Sequence, residues 1–308
     1  MSIETKESKA KPIILVVGGT GTQGGNVARE LLAHGHRVRI LTRHPDLEAA
    51  QLLVKAGAEA VYGDMSMPET LSAALAGVTA MFSVQYTDPN DSSVEPQNAY
   101  NLLQASIKAG VRQVVHTSSM GSDRFPRWNK HASIVSYWDH KWEIVDNIRN
   151  AGFDSWTILH PTWFMENFTE TSAQFMNPEL EKGIIFSALQ PDTRVDMICG
   201  ANIASFARAA FEQPELFHKQ DITFAGESLT MGEAAAILTE VTGKKVTSVS
   251  LSNEAAVARG LHLGVVNSHD WMNDVGSIVD YEALARFGIP TTSFKHWVDK
   301  HKDEIKID

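Results

Sequence analysis

Residues 12–35 read PIILVVGGTGTQGGNVARELLAHG. The run 12–17 is apolar and β-branched, and eight residues rich in glycine follow it directly. Then comes a segment with apolar residues at helical spacing, closed by Gly35. Strand, glycine turn and helix in this order form the context in which a glycine motif has physical meaning. In the pattern G-x-x-G-x-x-G, Gly18 turns the chain sharply out of the strand. Gly21 lets the backbone approach a pyrophosphate, and Gly24 lets the helix pack close to the sheet. The helix start then offers unpaired N–H groups and a partial positive charge to phosphates. A Walker phosphate loop is excluded, because Gly24 is followed by Gly25 and Asn26 and not by Lys-Ser/Thr. The segment reads as a dinucleotide site.

The next strand, around 37–41, decides which dinucleotide. Sites that prefer NAD place an acid near the end of this strand to bond the ribose 2′-hydroxyl. No acid occurs between Glu30 and Asp46, and Arg43 stands where a guanidinium fork would grip a 2′-phosphate. The expected cofactor is therefore NADP(H).

Beyond this point, strands are expected near 59–62, 80–84, 113–117 and 156–159. Helices are expected near 22–34, 47–56, 68–76, 96–109 and 138–151. Alternation of this kind predicts an α/β fold, a Rossmann-type doubly wound parallel sheet. Ligands then sit at the carboxyl ends of the strands, and Gly18, Arg43, Asp64, Gln85, Ser119 and Pro161 all fall there. From about residue 161 the pattern changes, with clusters of Trp, Phe and Met. A helix near 201–213, a strand near 221–224 and a helix near 230–242 suggest a return to the sheet edge. The expected division is a nucleotide-binding part over 1–160 and a smaller, interleaved α/β lobe over 161–308.

Composition sets further bounds. The chain has 308 residues, 43% apolar and 21% charged, which suits a packed core. The formal charge of −10 disfavours nucleic acid as a partner. The single cysteine, Cys199, excludes an intrachain disulfide and agrees with a reducing, cytoplasmic setting. The opening MSIETKESKAK lacks the apolar core of a signal peptide. No apolar run approaches the about 18 residues of a membrane span, and the glycosylation patterns at Asn90 and Asn167 carry no weight without secretion. The histidines at 116, 131, 140 and 160 form no metal-ligand pattern and read as strand-end and surface residues, so no metal is expected. Asp139 and Glu143 read as solvated helix charges.

Tyr137 and Lys141 stand four apart on a predicted helix and so share a face. An ammonium beside a phenol favours the phenolate. A phenol so placed can give a proton to a carbonyl oxygen as hydride arrives, and the lysine can also bond a nicotinamide ribose. The third partner would be a hydroxyl at the carboxyl end of the fifth strand: Ser119, or else Ser118. Trp163, Phe164, Trp271 and Met272 together offer an apolar substrate wall, and His262 is a second proton source to weigh.

VVGGTGTQGG, GAEAVYGDM, VVHTSSMGS, the Lys141 helix, LHPTWFMENF and SFKHWVDKHKDEI together resemble the NmrA-like family of atypical short-chain dehydrogenase/reductases, and most of all its NADPH-sensing members. The resemblance implies that Thr20, Gly21, Thr22 and Gln23 hold the pyrophosphate and that Arg43 holds the 2′-phosphate. It puts Asp64 and Met65 near the adenine, Lys141 on the nicotinamide ribose, and Pro161, Trp163 and Phe164 at the nicotinamide. It implies either an NADPH-dependent reductase of a small carbonyl, quinone or conjugated substrate, or a sensor that binds NADP(H) and a regulatory protein partner. Many sensing members carry another residue at the position of Tyr137, so its presence favours the enzyme. A monomer or homodimer is expected.

Overall fold

The structure is a computed structural model and describes residues 11–88, 91–124 and 135–308. The first half runs β1 (Ile13–Val17), α1 (Thr22–Ala33), β2 (Arg37–Thr42), α2 (Glu48–Lys55), β3 (Glu59–Tyr62), α3 (Leu71–Leu75), β4 (Val78–Ser83), α4 (Val94–Ala109), β5 (Gln113–Thr117), α5 (Val135–Asn150) and β6 (Ser155–Pro161). Next come β7 (Trp163–Phe164), α6 (Glu170–Met176), β8 (Ile184–Ser187), β9 (Val195–Ile198), α7 (Gly200–Glu212), α8 (Pro214–Phe217) and β10 (Gln220–Phe224). The chain closes with β11 (Glu227–Leu229), α9 (Met231–Thr242), β12 (Thr247–Ser250), α10 (Asn253–Ala258), α11 (Leu263–Val275), α12 (Tyr281–Ala285) and α13 (Phe294–His301).

The main sheet has seven strands in the order β10-β6-β5-β4-β1-β2-β3, and every pairing in it is parallel. This is the doubly wound order, with its reversal point between β1 and β4. The alternation along β1 shows why such a strand reads as one apolar run. Ile14 and Val16 pack with α1 and α7 on one face. Leu15 and Val17 pack with α3, α4 and α5 on the other. β10 joins the sheet edge beside β6, so the expected return of the later chain to the sheet is found. α7 covers the same face as α1, and Val27, Ala28 and Leu31 meet Ile203 and Phe206 there.

The rest of the second half forms two small sheets, β11-β9-β7 and β12-β8. A core of Trp163, Met165, Phe168, Met197, Trp271, Phe294 and Trp297 holds them together. α9 begins with a capping box, in which Thr230 and Glu233 satisfy each other's backbone N–H groups. Of the sequence features named above, residues 1–10, Asn90 and His131 lie outside the described residues. Among the described residues no helix is long and apolar enough to cross a membrane, and no group of His, Cys, Asp or Glu is arranged to hold a metal ion.

Candidate functional site: a two-part cleft at the carboxyl ends of the strands

A groove of about 480 Å³ opens where β1 and β4 diverge. Its floor is the glycine turn. Gly18 has φ +68°, and a Cβ there would lie 2.9 Å from Val84 Cγ1. A Cβ on Gly24 would lie 2.3 Å from the Gly18 carbonyl oxygen. Gly24 is thus the position that lets α1 sit against the turn. Gly21 differs: its Cβ would meet nothing closer than 3.4 Å. Packing does not demand glycine there, and the bare backbone faces the groove. No side chain caps the start of α1 and no acid stands in its first turn. Those N–H groups are left for an anionic ligand.

The other nominated groove residues fall into place around this floor. Thr20, Thr22 and Gln23 line it beside the glycines, and Arg43 and His44 form the end beyond β2. Asp64 and Met65 follow β3, and Gln85 follows β4. Asp64 Oδ1 is occupied locally, accepting from the Ser66 backbone N–H at 2.9 Å and the Ser66 hydroxyl at 2.8 Å. Gln85 is buried and donates to Ser83 Oγ at 3.0 Å. These features fit a phosphate-bearing dinucleotide: a bare backbone cradle, free N–H groups at a helix start and an exposed guanidinium at the far end.

A second cavity, also about 480 Å³, adjoins the first. Gln23 and Phe164 line both, so the two form one cleft. Ser118, Ser119, Tyr137, Lys141, Pro161 and Trp163 all line this second part, with Met120, Trp138, Trp271 and Met272. The apolar residues named in the sequence therefore do form a wall. Trp138 and Trp271 meet edge to face with centroids 5.0 Å apart, a favoured aromatic geometry. Gly121, with φ +84°, leaves room for that pair, since a Cβ there would lie 2.9 Å from Trp271. His262 is not among the lining residues. It caps α11, where its Nδ1 accepts from the Gly264 N–H at 3.1 Å.

The electrostatics centre on Lys141. The side chain is buried, and its Nζ bonds the carboxylate of Glu95. Nζ also lies 5.4 Å from the centroid of the Tyr137 ring. Burial opposes the charge on Lys141, but Tyr137 and Glu95 favour it more, and its pKa stands above the usual lysine value. The lysine is therefore held as a cation. His116 on β5 is the reverse case. Burial first, then Lys141 and His160, lower its pKa to about 3, so it is neutral.

Behind Ser118 runs a chain of hydrogen bonds. Ser118 Oγ and Ser122 Oγ are 2.9 Å apart. Ser122 Oγ lies 3.1 Å from His160 Nδ1, and His160 Nε2 lies 3.1 Å from Asp221 Oδ1. Asp221 also accepts from Arg149 at 2.5 Å. These partners hold the Asp221 carboxyl below its ordinary pKa against the cost of burial. Ser119 contributes its carbonyl, which accepts the Ser122 hydroxyl at 2.6 Å. Both serines line the cavity, and the chain behind Ser118 orients its hydroxyl.

Sequence reading missed Glu95, Ser122 and the burial of His116 and His160, which it took for strand-end and surface residues. For Glu95 a signal existed. The buried positions of α4 are Glu95, Ala99, Leu102, Leu103 and Ser106, so the acid stands on the apolar stripe. Asp139 and Glu143 are exposed, as expected.

A profile of the NmrA-like family matches residues 10–283. The chain belongs to the NmrA-like family. Two relatives show its range. The NmrA-like oxidoreductase malD of Malbranchea aurantiaca is 28% identical over 260 residues, covering 79% of this chain and 76% of malD. The NAD(P)H azoreductase of Xenophilus azovorans is 28% identical over 274 residues, 89% of each chain. Among solved structures, the NADPH-dependent quinone oxidoreductase QOR2 of Escherichia coli, crystallised with NADPH, superposes with a TM-score of 0.76 at 24% identity. The match covers 94% of this chain and 99% of that one, and this likeness shows the fold.

Proposed function

We propose that this protein is an NADPH-dependent reductase of small carbonyl, quinone or otherwise conjugated substrates, of the atypical short-chain dehydrogenase/reductase type. The observation that carries the reading is the single cleft joining the glycine turn and Arg43 to Tyr137 and Lys141. The names of the NADPH-bound quinone reductase and the NAD(P)H azoreductase support it. In this reading residues 1–160 carry the nucleotide, and residues 161–308 shape the substrate side. The setting is cytoplasmic.

Thr20, Gly21, Thr22 and Gln23 hold the pyrophosphate, with the unpaired N–H groups at the start of α1 turned to it. Gly18 and Gly24 set the turn that presents them. Arg43 holds the 2′-phosphate, and Asp64, Met65 and Gln85 border the adenosine. Lys141 bonds the nicotinamide ribose, while Pro161, Trp163 and Phe164 border the nicotinamide. NADPH, when bound, supplies a hydride. Tyr137 gives its hydroxyl proton to the oxygen, or other acceptor atom, that gains charge in the substrate. Ser119 donates a hydrogen bond to the same atom; Ser118, the other candidate, would first have to give up the bond by which its proton goes to Ser122 Oγ. The walls of Trp138, Trp163, Trp271 and Met272 exclude water and accept flat apolar groups.

The test is NADPH oxidation with a panel of ketones, quinones and azo dyes. Tyr137→Phe should keep NADPH affinity by calorimetry while turnover falls by about 10²–10⁴-fold, as expected for loss of a positioned acid. A variant as active as wild type would remove Tyr137 from the acid role. Tight NADPH binding with no turnover on any substrate, and a cofactor-dependent change in protein association, would favour the sensor.

A further inference from the structure

Glu95 lies 1% exposed on the inward stripe of α4. One carboxylate oxygen bonds Lys141 Nζ. The other accepts the Thr87 hydroxyl at 2.5 Å. A buried carboxylate is costly unless paired and hydrogen-bonded, and here both conditions are met. The pair as a whole is neutral. That matters for Tyr137, four residues before Lys141 on the same helix face. A lone ammonium at this range would stabilise the phenolate and make the tyrosine acidic. An ammonium bonded to a carboxylate acts on the phenol as a dipole, whose field is weaker and shorter in range.

Among the described residues, Glu95 is the carboxylate that acts on Lys141. His116 on β5 is neutral. His160 on β6 is bound between Ser122 and Asp221. The other titratable groups on α5 are Asp139, Glu143 and Asp146, which are exposed, His140, and Arg149, which is paired with Asp221; Asp123 stands in the turn after β5.

We propose that Glu95 is a positioning residue that balances the charge of Lys141 and so keeps the Tyr137 hydroxyl protonated, setting this cleft to deliver a proton to a reduced substrate and not to remove one. The step it serves balances: hydride and one proton enter the substrate, the cofactor leaves oxidised, and the tyrosinate regains its proton from solvent. This inference rests on the reductase reading above, but its central measurement does not need turnover.

Tyr137 can be titrated in the full chain without cofactor, by phenolate absorbance, as the difference between each protein and its Tyr137→Phe counterpart. In Glu95→Gln, Tyr137 should ionise about one pH unit or more below wild type. The alkaline limb of kcat/KM for NADPH-dependent reduction should move down with it. Glu95→Asp, which keeps the charge, should stay near wild type. A buried lysine beside a glutamine can lose its proton, so the double variant Glu95→Gln, Lys141→Arg supplies a cation that cannot, and it must show the same downward shift. An unchanged or higher Tyr137 titration in the double variant overturns the proposal. A shifted titration in a protein that never turns over, or whose turnover ignores Tyr137→Phe, leaves the charge balance standing and overturns the reductase reading instead.

Discussion

The guanidinium of Arg43 stands exposed just past the carboxyl end of β2, lining the end of the groove. The chain carries no acid from there back to Glu30. A 2′-phosphate reaching this end would meet a fork of charged donors, whereas a 2′-hydroxyl would meet no carboxylate to bond. Arg43→Ala should therefore weaken NADPH binding by about 1.5–3 kcal/mol, the worth of a charge-assisted hydrogen bond, and leave NADH nearly unchanged. Calorimetry with both cofactors checks this, and equal losses would count against the assignment. Residues of this kind were legible because their chemistry follows from position in a repeating unit: the glycines after β1, the arginine after β2. Glu95 was not legible, although it stood on an apolar stripe. An acid in the first turn of a helix is ordinarily explained by the helix dipole, and only the packing of α4 against α5 reveals the lysine opposite. The same holds for His160, whose neighbours Ser122 and Asp221 come from a turn and from the far strand β10.

Elements behaved similarly. β1, β2, β4, β5 and β6 were readable because they are buried runs of apolar residues, and α1 and α4 because they repeat their apolar positions over several turns; the edge strand β3 and the short α3 were readable from the alternation around them. β7, β8, β9, β11 and β12 span only two to four residues, too short for alternation to register, and their pairings exist only once the second half has folded. What fixes that half is also nonlocal. Asp196 on β9 is buried and accepts from Ser277 Oγ at 2.6 Å, the Ile278 N–H at 2.8 Å, the Val279 N–H at 3.1 Å and the Tyr281 hydroxyl at 3.1 Å. Burial, and then the carboxylate, push the Tyr281 phenol above its ordinary pKa. This one side chain anchors the segment between α11, which walls the substrate cavity, and α12. Asp196→Ala would strand buried donors, and the loss should be about 3 kcal/mol or more. Urea unfolding should show the midpoint fall accordingly, and a loss under about 0.5 kcal/mol, the range of an ordinary surface change, would mean the anchor is dispensable.

At the scale of the whole molecule, the fold buries His116 and His269 so that their charged forms are disfavoured. His116 lies between the sheet and Lys141, and His269 on α11 accepts the Ala188 N–H at 3.3 Å. Burial lowers the pKa of His116 to about 3, helped by Lys141 and His160, and that of His269 to about 4. Both would titrate near 6.5 in the unfolded chain. The sign follows from proton counts. Above about pH 6.5, native and unfolded states bind the same number of protons at these sites, and the full stability is present. As the pH falls below that value the unfolded chain takes up protons that the native state refuses, so stability is lost, until the native sites protonate in their turn. Each histidine contributes a slope of up to about 1.4 kcal/mol per pH unit in this window. Native carboxylates held low, such as Asp221, lose their contribution only at lower pH, which separates the two effects. A variant isolates the buried histidines from the other titrating groups. Urea unfolding free energy should fall from about pH 6.5 to about pH 5 in wild type. His269→Gln, whatever its cost at neutral pH, should show a slope shallower by about one proton. An unaltered slope in that variant would show that His269 takes up its proton in the native state as readily as in the unfolded one.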